Sequence, residues 1–193
     1  MMTLVIGGAA SGKSEYAESL CMDAGSRRAY IATMMPYGNA ALAKIARHRQ
    51  MRAKKGMTGI ECYVDVGTLT AEVAKYDVIL IECLTNLLAN EQFRTNPTSP
   101  ESPNPPEPPP PPKPPDDLPA KIAADILRLA NATRHTIVVT GNVFADGLTY
   151  GDQTMDYIQN LGTLNRLLAG AADHVVEVYY GIPIDLKGAA HAK

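Results

Sequence analysis

One short segment restricts the fold of this chain more than any other: residues 7–14, which read G-G-A-A-S-G-K-S. An apolar run at residues 2–6 precedes it, and a helical pattern over residues 14–22 follows it. The segment satisfies the phosphate-loop motif G-x-x-x-x-G-K-[ST], whose glycines let successive backbone N–H groups face a phosphate. The start of the following helix would face the same anion. A strand, a phosphate loop and a helix are therefore expected at the start of the chain.

The motif also predicts what its side chains do. Lys13 is expected to reach the β- and γ-phosphate oxygens, and the Ser14 hydroxyl to coordinate Mg²⁺. A nucleoside triphosphate is thus the expected ligand. The residues predicted to contact it are Gly7, Gly8, Ala9, Ala10, Ser11, Gly12, Lys13 and Ser14.

Strand and helix patterns alternate along the rest of the chain. After residues 2–6, strands are predicted over residues 29–33, 60–64, 78–81, 136–140 and 175–179. Helices are predicted over residues 14–22, 39–55, 67–74, 84–93, 118–132 and 156–169. The strand segments are β-branched and mostly continuous in apolar character, which is typical of a parallel sheet covered on both faces. The pattern predicts an α/β, P-loop NTPase-like three-layer fold with a mainly parallel sheet and helices on both faces.

A proline-rich segment interrupts this alternation. Residues 97–119 hold 13 of the 15 prolines, and such a tract can neither extend a hydrogen-bonded ladder nor build a core. We predict a single nucleotide-binding domain over residues 1–193, with a flexible insertion at 96–119. Because long surface loops cost little, a tolerated insertion is one interpretation. A docking segment for an SH3-like partner is the other.

Charge and cysteine content exclude several functional classes. The net charge is -2, so no overall field attracts nucleic acid. The three cysteines have no metal-type spacing, which predicts reduced thiols and a cytoplasmic protein. No apolar run reaches the roughly 18 residues of a membrane span, and the N-terminus lacks the basic flank of a signal peptide.

A carboxylate follows the apolar run at residues 78–81. Glu82 would lie at the carboxyl edge of the sheet, where parallel sheets bind their ligands. We predict a Walker-B type role in which Glu82 contacts Mg²⁺ or its water molecules. The alternative is a carboxylate that only stabilises the start of a helix.

A basic segment, residues 43–55, surrounds one histidine. Six of its thirteen residues are Lys or Arg and none is acidic. Like-charge repulsion would favour the neutral imidazole of His48, and the cations would attract phosphate. His48 is therefore a candidate nucleophile, but a histidine on a solvated basic helix is ordinary, and composition alone favours that second interpretation.

Several of these segments together resemble one family, the bifunctional adenosylcobinamide kinase/adenosylcobinamide-phosphate guanylyltransferases of cobalamin biosynthesis. Near the N-terminus the matching pieces are T-L-V-I-G-G-A-A-S-G-K-S at 3–14, Y-I-A-T at 30–33 and K-I-A-R-H-R at 44–49. Further along they are I-E-C-L-T-N-L-L at 81–88, I-V-V-T-G-N-V at 137–143 and G-T-L-N-R-L-L-A-G-A-A-D-H-V-V-E-V-Y-Y-G-I-P-I-D-L-K at 162–187. The pieces follow the family's order and cover nearly the whole chain except residues 95–119.

The resemblance implies two reactions on a small-molecule corrinoid. Adenosylcobinamide is phosphorylated with ATP or GTP, and GMP is then transferred from GTP to the product through a covalent intermediate on a histidine, here His48. By the same resemblance, the residues lining the guanine nucleotide site are Thr33, Arg49, Arg52, Glu61 and Glu82. Mg²⁺ is the expected metal, and a homo-oligomer, a trimer in the family, is the expected assembly.

Three departures from the family pattern bear on whether both reactions are retained. Ala10 stands where the family commonly has Arg, Asn142 where it has an acidic residue, and Gln159 where it has Asp. Besides the complete bifunctional enzyme, two interpretations therefore stay open. One is a homologue that keeps a single half-reaction, and the other is a nucleotide-binding regulator without catalysis.

Overall fold

The computed structural model describes residues 1–36, 55–93, 115, 117–143, 148 and 150–188. Nearly all of the helix predicted over residues 39–55 and most of the proline-rich insertion at 96–119 lie outside these residues. The described residues form seven strands and five α-helices, in the alternating order that the sequence predicts.

The bounds of the elements are as follows. The strands are β1 (Met2–Gly7), β2 (Arg28–Ala32), β3 (Met57–Glu61), β4 (Val78–Glu82), β5 (His135–Gly141), β6 (His174–Tyr179) and β7 (Ile182–Lys187). The helices are α1 (Lys13–Ala24), α2 (Thr70–Val73), α3 (Leu84–Gln92), α4 (Leu118–Ala132) and α5 (Asp152–Ala171). A 3₁₀ turn over Val66–Leu69 leads into α2.

All seven strands form one sheet in the order β3-β2-β4-β5-β1-β6-β7, parallel except for β7, which runs antiparallel to β6. Ala32 pairs with both Glu61 of β3 and Glu82 of β4. Gly7 pairs with Gly141 of β5. Because parallel strands end at the same edge of a sheet, this register places the segments that follow β1 to β5 side by side. The predicted mainly parallel sheet is confirmed.

Helices cover both faces of the sheet. Four helices, α2 to α5, pack on one face around a core that includes Ile81, Leu87 and Ile126. The other face packs against α1 through Val5, Leu80 and other buried side chains. Strands buried on both faces explain the continuous apolar runs of the sequence. The predicted three-layer arrangement is confirmed for the described residues.

Helix α4 shows why some bounds are predictable from sequence. Its buried stripe at Ile122, Ile126 and Leu129 has the 3.6-residue period. The Asp117 side chain accepts a hydrogen bond from Ala120 N at 3.1 Å and so caps the first turn. The stripe and the cap are both local, and α4 has the predicted bounds, residues 118–132.

Two predictions in the first half of the chain differ from the structure. The strand predicted over residues 60–64 lies earlier, at Met57–Glu61, because these are the residues that pair with β2. Glycine is uncommon in strands, so Gly59 did not indicate that the strand begins before residue 60. The helix predicted over residues 67–74 is divided into the 3₁₀ turn and α2.

Strand β7 was not predicted. Pro183 lies within it, and proline weakens a strand pattern except at an edge, which is where β7 lies. None of the described helices combines the length and the apolar character needed to cross a membrane.

Candidate active site

A cleft of about 760 Å³ opens at the carboxyl edge of the sheet. The phosphate loop forms one side of it, and the ends of β2 to β5 form the rest. Its polar lining includes Lys13, Ser14, Tyr30, Glu61, Tyr63, Glu82, Asn86 and Asn142, and its apolar lining includes Met34, Met57, Ile60 and Val143. Polar groups thus gather beside the phosphate loop, and an apolar wall extends toward β3.

The phosphate loop has the backbone that its glycines predict. Gly12 has φ 90°, and Ala10 also lies in the left-handed region with φ 57°. A β-carbon at Gly12 would come within 3.1 Å of Gly181 Cα, and one at Gly7 within 2.9 Å of the Val178 carbonyl oxygen. Neither position has room for a side chain. The curled backbone leaves Lys13 folded over it, with Nζ donating to Gly8 O at 2.9 Å.

The turn between β6 and β7 supports this loop. Gly181 N donates to Ser11 O at 2.8 Å, and Gly181 lies close enough to Gly12 to exclude a side chain there. Because the sequence did not predict β7, it also did not predict that this turn would contact the site. In the sequence, the G-I-P segment at residues 181–183 is distinguished only as part of the family pattern.

Glu82 and Ser14, which are predicted metal-binding residues, are in direct contact. Ser14 Oγ donates a hydrogen bond to Glu82 Oε1, and Tyr30 OH donates to Glu82 Oε2 at 2.6 Å. Mg²⁺ prefers hard oxygen ligands, often one or two from the protein. A serine hydroxyl and a carboxylate that meet beside the phosphate loop fit such an ion, and Ser14 and Glu82 are the residues that would hold it.

Thr33 lies beneath the cleft rather than in its lining. Its side chain is fully buried. Its hydroxyl accepts from Cys83 N at 2.7 Å and donates to Cys83 O at 2.8 Å. Asn90 Nδ2 donates to Thr33 O at 2.8 Å and to Tyr63 O at 2.9 Å, which ties α3 to the ends of β2 and β3. Thr33 therefore holds the backbone that follows Glu82.

Glu61 lines the opposite side of the cleft, at the end of β3. Its carboxylate accepts a hydrogen bond from Tyr63 OH at 2.7 Å. The structure thus brings Glu61, Glu82 and the phosphate loop around one cleft. His48, Arg49 and Arg52 lie outside the described residues.

Two of the three departures from the family pattern line the cleft. Ala10 is an exposed residue of the phosphate loop, and Asn142 follows β5. Asn142 N donates to Gly7 O at 3.2 Å, so its backbone continues the pairing of β5 with β1. Gln159 is exposed on α5 and does not line the cleft.

Sequence reasoning missed the tyrosines of this site. Tyr30 reaches Glu82, and Tyr157 OH donates to Thr85 O at 3.0 Å. Burial raises the pKa of Tyr157 to about 12, so its hydroxyl stays a donor at neutral pH. A tyrosine inside an otherwise apolar strand, as in Y-I-A-T, could have been recognised, because a buried phenol needs a hydrogen-bond partner.

Comparisons with known proteins find matches over nearly the whole chain. The family model of cobinamide kinase / cobinamide phosphate guanyltransferase matches residues 3–186. The bifunctional adenosylcobalamin biosynthesis protein CobU of Salmonella typhimurium is 32% identical over 189 residues, which is 97% of this chain and 100% of that protein. CobU of Escherichia coli is 30% identical over 189 residues, with 97% and 100% coverage. The corresponding protein CobP of Pseudomonas aeruginosa is 27% identical over 188 residues, with 97% and 98% coverage.

Proposed function

The chain belongs to the cobinamide kinase / cobinamide phosphate guanyltransferase family, and from this premise we propose how its residues divide the two reactions. The protein is a bifunctional transferase of cobalamin biosynthesis, a kinase and a nucleotidyltransferase that uses ATP and GTP. The contact between Ser14 and Glu82 beside Lys13 supports the assignment of the nucleotide site.

The kinase reaction takes place at the phosphate loop. The substrate hydroxyl of adenosylcobinamide attacks the γ-phosphorus in line and loses its proton to solvent. The bond to the β–γ bridging oxygen breaks, and the nucleoside diphosphate leaves with the electron pair. Loop N–H groups and the Lys13 ammonium stabilise the charge on the phosphate oxygens. Mg²⁺, when held by Ser14 and Glu82, supplies further neutralisation of that charge.

The guanylyl transfer uses His48. Its neutral imidazole attacks the α-phosphorus of GTP, pyrophosphate leaves, and a phosphoramidate bond forms. An oxygen of the corrinoid phosphate then attacks the same phosphorus and releases the histidine. Arg49 and Arg52 would bind the triphosphate, and Glu61 would line the guanine nucleotide site. Thr33 would support that site from beneath, through its hydrogen bonds to the Cys83 backbone. The basic segment around His48 and the family resemblance support this assignment.

Covalent labelling tests the role of His48. Incubation with α-³²P-GTP and Mg²⁺ is expected to give an acid-labile, alkali-stable label on the wild-type protein and none on His48→Ala. His135→Gln is the matched control and should be labelled normally, because His135 begins β5 at the end opposite the cleft. An unlabelled wild-type protein that still binds GTP would contradict the histidine intermediate and favour a nucleotide-binding regulator.

A second candidate function keeps only one half-reaction. It is favoured by Ala10 and Asn142, because both departures line the cleft where a charged side chain would meet substrate or phosphate. Following the mass of adenosylcobinamide through its phosphate to the GDP ester separates the two. The bifunctional enzyme completes both steps. A homologue with only the kinase activity stops at adenosylcobinamide phosphate, and one with only the transferase activity forms the GDP ester only when that phosphate is added.

We also propose that the protein is a homo-oligomer, a trimer as in the family. Strand β7 is an edge strand whose apolar side chains Ile182, Ile184 and Leu186 are 64%, 47% and 58% exposed. An exposed apolar edge of this kind is expected to be covered in the assembly. Sedimentation should show one species larger than the monomer, and Ile184→Asp should shift it toward the monomer. A monomeric wild type would contradict the proposal.

We propose that the protein is located in the cytoplasm. A cytoplasmic location agrees with the free cysteines, and burial raises the pKa of Cys21 to about 11, which keeps that thiol protonated. Cell fractionation tests the location. We propose that the insertion at 96–119 is a tolerated loop of a single domain up to the start of α4. Because Asp117 caps α4 and Leu118 is buried, the deletion that tests this is residues 97–114. It should leave both activities intact, and a loss of activity would contradict the proposal.

A further inference from the structure

We infer that Tyr30 is a positioning residue for the metal site: its hydroxyl holds the Glu82 carboxylate so that Ser14 can present its oxygen to a cation. The inference rests on the proposed role of Glu82 and Ser14. The family motif includes Tyr30 in Y-I-A-T, but neither the motif nor the comparisons assign it a function.

The sheet register brings the two side chains together. β2 and β4 are neighbours, Tyr30 pairs with Leu80, and Ala32 pairs with Glu82. Because side chains two residues apart project from the same face of a strand, Tyr30 and Glu82 lie on one face, diagonally across the two strands. A phenol ring is long enough to span this diagonal, and the hydroxyl lies 2.6 Å from Glu82 Oε2.

Packing leaves the hydroxyl of Tyr30 little freedom. The residue is 2% exposed and belongs to the core between the sheet and α1, together with Ala17, Cys21 and Leu80. A ring enclosed in this way cannot swing toward another acceptor without opening the core. Tyr30 also lines the cleft. The Glu82 carboxylate is thus held by a side chain that is itself fixed in the core.

The hydroxyls of Ser14 and Tyr30 have different roles at the Glu82 carboxylate. A serine hydroxyl carries one proton and two lone pairs. When Ser14 donates that proton to Glu82 Oε1, both lone pairs of Ser14 Oγ stay available to a cation. Tyr30 at Oε2 fixes the plane of the carboxylate and therefore the direction in which Oε1 receives the proton. Without Tyr30, the carboxylate can rotate about its last bond, and Ser14 loses its orientation.

A purely structural role for Tyr30 predicts something different. If the hydrogen bond only satisfied a buried phenol, its loss would lower stability and would weaken nucleotide binding equally with and without metal. If Tyr30 acts through Glu82, its loss should affect only the metal-dependent part of binding. The ratio of GTP affinities with and without Mg²⁺ separates the two roles.

The test is calorimetric titration of GTP into Tyr30→Phe and wild type, with Mg²⁺ and with EDTA. We expect the affinity in EDTA to change by less than about twofold, and the gain due to Mg²⁺ to fall about tenfold, as for the loss of a partner of a metal ligand. Tyr76→Phe is the matched control. It also lies against the core but precedes β4 at the end opposite the cleft, and its Mg²⁺ gain should equal that of wild type.

A double-mutant cycle with Glu82→Gln keeps the two proposals distinguishable. Once Glu82→Gln has removed the Mg²⁺ gain, adding Tyr30→Phe should cause no further loss. If Glu82→Gln lowers the gain and Tyr30→Phe does not, the inference is wrong and the metal site stands. If Glu82→Gln leaves the gain unchanged, the proposed metal role itself is wrong. Equal losses with and without Mg²⁺ in Tyr30→Phe overturn the inference in favour of a structural role.

Discussion

Carboxylates in two regions of this protein have different partners: uncharged hydroxyl groups in the cleft, and a lysine ammonium beside α4. In the cleft, the partners of Glu82 among the described side chains are two uncharged hydroxyls, those of Ser14 and Tyr30. Beside α4, a lysine-centred cluster comprises Asp65, Glu91, Lys121, Asp125 and Arg128. There Lys121 Nζ lies 2.6 Å from Asp65 Oδ1, 2.6 Å from Glu91 Oε1 and 3.1 Å from Asp125 Oδ2.

The comparison separates a structural group of acids from a functional one. Oxygens of Asp65, Glu91 and Asp125 lie within 4.8 Å of one another, close enough to bind one metal ion. The ammonium of Lys121 already contacts all three, so the cluster carries its own cation. Glu82 instead has only uncharged hydrogen-bond partners in the part of the chain that the structure describes, so its negative charge is available to a cation in the cleft. Close acidic side chains therefore indicate a ligand site only when the protein does not neutralise them itself.

The largest expected effect comes from removing the internal cation. Lys121→Met should lower the free energy of unfolding by about 3 kcal/mol or more, because it removes the cation that contacts all three carboxylates, two of which are buried. The Glu91 and Asp125 side chains are only 2% and 5% exposed. Urea unfolding measures the loss, and the activity per folded molecule should stay unchanged. Lys75→Met, which removes an exposed pair with Glu72 at 3.6 Å, is the control and should change stability by less than about 0.5 kcal/mol.

The next largest effect is expected in the cleft, where a substitution should lower activity rather than stability. Glu82→Gln should reduce kinase kcat/KM about 100-fold, equal to about 2.7 kcal/mol of transition-state stabilisation. Its free energy of unfolding should change by less than about 1 kcal/mol, since no cationic side chain of the described part of the chain forms an ion pair with Glu82. Steady-state kinetics and urea unfolding of the same preparation test both parts. Severe destabilisation with normal kinetics would reverse the roles given to the two groups.

A smaller effect tests how tightly the lysine-centred cluster is packed. A β-carbon at Gly67 would lie 2.5 Å from both Asp125 Oδ1 and Arg128 Nη2. Gly67→Ala should therefore displace these side chains and destabilise the fold by about 1–2 kcal/mol. Gly170→Ala in α5, where a β-carbon would meet nothing within 4 Å, should be neutral or slightly stabilising. Thermal unfolding of the pair decides the point, and equal midpoints would mean that the cluster is loosely packed.

The smallest effect concerns alkaline pH. Burial alone would lower the pKa of Lys121, but hydrogen bonds from Lys121 to Asp65, Glu91 and Asp125 outweigh it and raise the pKa above 10.5. The stability that this shift contributes is complete below pH 10.5 and is lost as the pH rises through the higher folded-state pKa. The difference in unfolding free energy between wild type and Lys121→Met should therefore narrow above pH 10.5. A constant difference up to pH 12 would contradict the assignment.

Much of the candidate site could be predicted because its signals are local. The phosphate loop is a continuous motif, and the strand before it and the helix after it were identified from apolar patterns. Glu82 was placed at the end of β4 because a single acid follows an apolar run. Tyr30 was missed because its partner Glu82 is 52 residues away. A buried phenol indicates that a hydrogen bond exists, but no sequence pattern identifies which residue accepts it.

The sequence by itself determined the phosphate loop, the alternation of strands and helices, and the bounds of α4, because backbone conformation and side-chain periodicity depend on residues close in the chain. Only the tertiary structure decided that β4 lies beside β2, that Ser14 meets Glu82 across 68 residues, and that Lys121 meets Asp65 across 56. It also decided the register of β3 and the pairing of β7. These contacts depend on which of several compatible strand orders and packings buries the most apolar surface while leaving the fewest charges without a partner.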